Sequence, residues 1–89
     1  MSMKDRIAAK LTLGLHPLAL DVVDESDRHQ GHAGAREGGE THYRIYIVSE
    51  SFVGKSRVAR HRLVYDLLGE EFAAGLHALA LRALAPGET

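Results

Sequence analysis

The hydrophobic period of this 89-residue chain switches between helical and two-residue spacing, and that succession limits the folds open to it. Met3, Ile7 and Leu11 recur at i, i+4 and i+8, one face of a helix. Leu18, Leu20 and Val22 then alternate with Ala19, Asp21 and Val23, the pattern of a strand with one face buried. Tyr43, Ile45 and Ile47 repeat it against Arg44, Tyr46 and Val48. Val58, His61, Val64, Tyr65, Leu68 and Phe72 return to helical spacing and share one arc of a helical wheel. Between Leu76 and Leu84 the period is again two, with His77, Leu79, Leu81 and Ala83 on one face. The order is αββαβ. A strand–helix–strand step of this kind favours a right-handed crossover between parallel strands. The expectation is a two-layer α+β domain, a three-stranded mixed sheet with its helices on one face.

Local signals refine the boundaries. Ser2 and Asp5 approximate a capping box, with Asp in place of the usual Glu or Gln. Gly14 reads as the stop of the first helix and Pro17 as the break after it. Ser56 reads as the N-cap of the second helix and Gly75 as its end. Residues 24–41 are polar, Gly-rich and aperiodic, a long loop of the kind that is usually functional or mobile. The whole chain, 1–89, is one domain's worth of sequence.

Composition removes several function classes. A net charge of −1 gives no global basic field, so a nucleic-acid contact must come from a local patch. Lys55, Arg57, Arg60 and Arg62, around the start of the second helix, are the candidates for phosphate or partner contact. The absence of cysteine excludes disulfides, thiol catalysis and any cluster held by this chain's own thiolates. No G-x-S-x-G or Walker loop is present, and Asp24-Glu25 and Glu70-Glu71 read as solvated faces, so no enzyme is expected. The charged Met1–Arg6 segment and the lack of a long apolar run point to a cytoplasmic protein with no membrane association.

Histidine is what remains for chemistry. His29 and His32 lie in Arg28-His29-Gln30-Gly31-His32-Ala33-Gly34, and His42 follows in Gly38-Gly39-Glu40-Thr41-His42-Tyr43. Imidazole is the commonest metal ligand and titrates near neutrality. A dedicated zinc site is disfavoured, because structural zinc normally takes four ligands with cysteines among them. His61 falls on the apolar stripe and reads as a core histidine, with Arg60 and Arg62 pointing outward. His42 is out of phase with the buried Tyr43-Ile45-Ile47 face and reads as exposed, and His16 as a loop residue.

Four segments together resemble the BolA family: Val22-Val23-Asp24-Glu25-Ser26; Gly39-Glu40-Thr41-His42-Tyr43-Arg44 through Val48-Ser49; Phe52-x-Gly54-Lys55 into Arg60-His61-Arg62-Leu63-Val64-Tyr65; and Leu76-His77-Ala78-Leu79-Ala80-Leu81. The resemblance implies a fold similar to the class II K-homology (KH) domain, α-β-β-α-β-α, with the last helix vestigial because only Ala85–Thr89 follows the third strand. It also implies a partner, a monothiol glutaredoxin, with which such proteins share a [2Fe–2S] cluster. The glutaredoxin side supplies a cysteine thiolate and a bound glutathione. The BolA side supplies the histidine that opens the third strand, matched here by His77, and a loop histidine or cysteine, matched best by His29 with His32 as alternate. Imidazole can replace thiolate on one iron, as in Rieske centres. The implied function is a non-enzymatic adaptor in iron–sulfur trafficking or iron-status regulation, monomeric alone and a heterodimer when loaded. The alternative is a DNA-binding transcriptional regulator using the basic second helix. KH domains clamp the nucleic-acid backbone with Gly-x-x-Gly, however, and the turn here, Phe52-Val53-Gly54-Lys55, has one glycine.

Overall fold

The computed structural model describes residues 2–25 and 42–88; His29 and His32 lie outside the described residues. Helix α1 spans Met3–Leu15 and buries Met3, Ile7, Leu11 and Leu15. Ser2 Oγ accepts the Asp5 N–H at 3.1 Å, one half of the anticipated box. Gly14 does not end this helix. It serves close packing instead: a Cβ there would stand 2.7 and 2.8 Å from the Leu67 methyls. The stop comes at His16, left-handed at φ 46°, ψ 57°, whose N–H closes on the Thr12 carbonyl, and Pro17 follows.

Three strands follow, β1 (Ala19–Asp24), β2 (His42–Val48) and β3 (Ala78–Leu84). The sheet order is β1-β2-β3. β1 runs antiparallel to β2 with Val22 opposite Ile45, and β3 runs parallel to β2 with Leu81 opposite Ile45. Val22, Ile45 and Leu81 thus form a row across the helix-covered face. Tyr43, Ile45 and Ile47 are buried there, while Arg44 and Tyr46 face the open side. This is the mixed sheet and two-layer α+β architecture expected from the periodicity.

The crossover from β2 to β3 carries a 3-10 turn (Glu50–Phe52), helix α2 (Arg57–Leu67) and a short helix α3 (Gly69–Ala73). Ser49, fully buried, donates its hydroxyl to the Leu15 carbonyl at 2.6 Å and accepts the Ser51 N–H, tying the end of α1 to this turn. Ser56 caps α2 as expected, accepting the Ala59 N–H.

Two expectations are corrected here. The second helix does not run unbroken to Gly75. At Leu68 (φ −102°, ψ 17°) the chain leaves helical geometry, and α3 restarts at Gly69. The buried stripe is also rotated from the wheel's arc: Val64 and Leu68 are buried and Leu63 and Leu67 pack against them, whereas Val58 is 59% and Tyr65 43% exposed. The cause is the approach of α1, whose Gly14 admits Leu67 and turns that side of α2 inward. His61 is therefore not a core histidine. It is half-buried, its ring 6.5 Å from that of Tyr65.

Glu71 is a third correction. Read as solvated with Glu70, it is fully buried. Arg6 Nη2 lies 3.0 Å from Oε2, and Lys10 Nζ lies 3.0 Å from Oε1, off the line of a hydrogen bond, so that contact is ionic. Glu70 stays on the surface and takes Lys10 at 2.9 Å. The carboxylates clasp α3 to α1. After β3, Ala85 is buried and the Glu88 N–H closes a turn on the Ala85 carbonyl at 3.1 Å. Among the described residues no helix is long and apolar enough to cross a membrane.

Candidate ligand site at the opening of the third strand

His77 is placed by its neighbours. Gly75, at φ 122°, turns the chain out of α3, a conformation that suits glycine. Leu76 plugs the core, and its N–H bonds the Glu71 carbonyl at 3.0 Å. Ala78 enters the ladder opposite His42. Between a buried plug and a paired strand, His77 is held with its side chain exposed. By strand parity it belongs with Leu79 and Leu81, but it precedes the first paired residue and escapes cover.

The parallel register brings a second imidazole alongside. The His42 and His77 ring centroids are 5.0 Å apart, tilted by 51°. A shallow groove next to them is lined by Glu25, His42, Tyr43, Ala78, Leu79 and Ala80. Glu25 belongs to this wall through its N–H, which bonds the His42 carbonyl at 2.8 Å, while its carboxylate takes Arg44 Nε at 3.0 Å. That hydrogen bond raises the Arg44 pKa. Among the described residues, no three His, Cys, Asp or Glu side chains converge to hold a metal ion. The pair sets two imidazoles side by side, in a chain that has no thiolate to add to them.

Of the residues singled out from sequence, His77 stands at an exposed, fixed position and is joined by His42, which periodicity alone set aside. The signal for His42 was available only through register. Aligning Tyr43-Ile45-Ile47 with Leu79-Leu81-Ala83 in a parallel pair puts position 42 opposite 78.

The basic group is divided by the fold. Lys55, Arg57 and Arg62 are exposed. Arg60 does not point outward; its side chain is 12% exposed. Its Nε donates to the Lys55 carbonyl at 2.9 Å, Nη1 to the Ala83 carbonyl at 3.1 Å, and Nη2 to Glu88 Oε2 at 3.0 Å. Arg60, and then the Ala85 N–H, hold the Glu88 carboxyl at a pKa of about 2. Arg82 supplies a cation that the sequence reading missed, lining with Arg57 and His61 a groove along β3.

Comparison with known proteins agrees with this architecture. The family model described as BolA-like protein matches residues 11–88. The chain is 52% identical over 89 residues to a Sinorhizobium sp protein named only for its place in the cobS 5′ region, covering 99% of this chain and 96% of that protein. It is 42% identical over 81 residues to the DNA-binding transcriptional regulator BolA of Escherichia coli K12, covering 91% of this chain and 73% of that one. Among solved structures, the BolA domain of SufE1 from Arabidopsis thaliana superposes with a TM-score of 0.90 at 48% identity, over 100% of this chain and 98% of that domain. BolA1 from the same plant gives 0.88 at 40% identity, with the same coverage. With its αββααβ order, its mixed sheet and a family match over nearly its whole length, this chain belongs to the BolA-like family.

Proposed function

We propose that this protein is a non-enzymatic iron–sulfur adaptor that binds a monothiol glutaredoxin and shares with it a glutathione-supported [2Fe–2S] cluster. The observation that carries the reading is His77, exposed and fixed at the opening of β3 beside His42, in a chain without a single thiol. His77 would bind iron through a ring nitrogen, with His29, or His32 as alternate, as the second ligand from the loop. The thiolates must come from the partner. Such a mixed nitrogen and sulfur ligand set gives a redox potential above that of an all-cysteine cluster. The protein's part is to orient His77 through Leu76 and Ala78 and to keep His42 next to it.

The test is anaerobic reconstitution of this protein with a monothiol glutaredoxin, glutathione, iron and sulfide, followed by visible circular dichroism. A spectrum distinct from that of glutaredoxin alone, abolished by His77→Ala, is the expected result. His29→Ala and His32→Ala then identify the second ligand. A spectrum that never departs from the glutaredoxin homodimer's sinks the reading.

A second reading has an observation of its own. Lys55, Arg57 and Arg62 remain exposed around the start of α2, and a 42%-identical relative is named as a DNA-binding regulator. With Arg60 committed to Glu88, a helix-led DNA contact rests on these three residues and Arg82. Duplex binding that weakens steeply with salt, and that needs no cluster, would favour it.

A further inference from the structure

We propose that the outer edge of β3, with the adjoining end of α2, is a docking groove for an extended acidic segment of a partner protein, taken up as a fourth strand. The argument begins with where the backbone groups of β3 point. In a parallel pair, alternate residues direct both N–H and C=O toward the neighbouring strand, and those between direct both away. The Leu84 carbonyl accepts the Ser49 N–H on the β2 side, whereas the Ala83 carbonyl faces outward and accepts Arg60 Nη1. By that alternation Leu79 and Leu81 also turn their N–H and C=O groups to the outer edge. β3 is an end strand of the sheet, and among the described residues those groups of Leu79 and Leu81 have no hydrogen-bond partner. An unpaired edge of this kind is a template for strand addition.

The side chains around the edge specify the guest. A groove of about 500 Å³ runs between α2 and β3, lined by Arg57, His61, Leu81, Arg82, Ala83 and Leu84. Arg57 and His61 lie one turn apart on the same helical face. Arg82, the register partner of Tyr46, lies on the sheet's open side. An added strand alternates its side chains, so one set meets Arg57 and His61 and the other meets Arg82. No carboxylate is among these described lining residues, and Glu88 at the groove's end is already bonded to Arg60. Acidic side chains on the incoming segment meet cations on both sides.

The same charges argue against other guests. Two copies pairing β3 to β3 would bring Arg57 and Arg82 of one against those of the other. A nucleic acid would leave the neutral edge amides unused and would find Arg60 occupied. Arg60 also sets the length of the added ladder, because its bond to Ala83 closes one end.

The experiment is a titration of the ¹⁵N-labelled full chain with the end-capped hexapeptide Glu-Glu-Val-Glu-Glu-Val, whose Glu side chains fall on both faces of an extended strand, followed by amide shifts. The expected result is saturable shifts at Leu79, Leu81 and Ala83, with binding weakened about tenfold or more in Arg57→Glu/Arg82→Glu. A peptide N-methylated at every residue, which has no N–H to complete the ladder on either edge, should not shift these amides. The proposal is overturned if the Glu/Val peptide leaves them unmoved, if the N-methylated or a Lys/Val peptide binds equally, or if single-stranded DNA binds there in preference. It is equally overturned if the edge amides shift with protein concentration alone, which would identify a second copy as the occupant.

Discussion

Glu71→Gln keeps the size of the side chain at the α1–α3 contact and removes the charge on which Arg6 and Lys10 close. Glu71 is fully buried, whereas the Arg6 and Lys10 side chains keep 36% and 31% of their exposure. Breaking a buried pair costs about 3–5 kcal/mol when the surviving charge is trapped. Here the survivors are cations that can turn to water, so the loss falls to that of the charge-assisted contacts, about 2 kcal/mol. In a domain of this size that lowers Tm by roughly 8–16 °C. Glu71→Met supplies similar volume without an ion to desolvate, and replacing buried ions with apolar side chains is often neutral or better. It should therefore be no less stable than Glu71→Gln. Urea unfolding followed by far-ultraviolet circular dichroism measures both. If Glu71→Gln unfolds within about 0.5 kcal/mol of the parent protein, the range of an ordinary surface change, the clasp is not a source of stability and the reasoning fails.

Two further outcomes are expected. Gly69 has open space around a prospective Cβ while Gly14 meets Leu67, so Gly69→Ala should stabilise by up to about 1 kcal/mol, whereas Gly14→Ala should lose that helix-propensity gain to repacking; chemical denaturation of the pair tests the contrast. The Glu88 carboxyl is lowered from 4.5 to about 2 by Arg60, so its contribution is present above 4.5 and lost as pH falls through about 2. Glu88→Gln should flatten the Tm profile across that window, and an unchanged acid limb would show that the Arg60 contact does not form in solution.

What the sequence disclosed, and what it withheld, divides by range. Tyr43-Ile45-Ile47 declares a strand because its alternation is written in consecutive residues, and Ser2 and Ser56 announce helix starts by bonding three residues ahead. Glu70 and Glu71 are chemically identical neighbours, and nothing local says which turns inward. That is decided by Arg6 and Lys10, far away in the chain. Gly14 looks like a stop until Leu67 is seen against it. Arg60 looks like a surface cation until β3 and Glu88 are in place. At the His42–His77 pair, His77 was singled out by its place at the opening of the third strand and by family resemblance. His42 was not, because its proximity exists only in the pairing of β2 with β3. The loop candidates His29 and His32 lie outside the described residues.

That pairing makes the separation of the two imidazoles a quantised property. Along a strand the chain can shift only in steps of about 3.3 Å, and each single step sends every side chain to the opposite face. A slip of β3 against β2 would carry Leu79 and Leu81 out of the core while it moved His77 away from His42. The His42–His77 spacing is thus guarded by the apolar rows of the sheet rather than by anything at the site. Mild perturbation of the helices should lower the population of folded molecules without producing folded molecules in which this spacing has drifted.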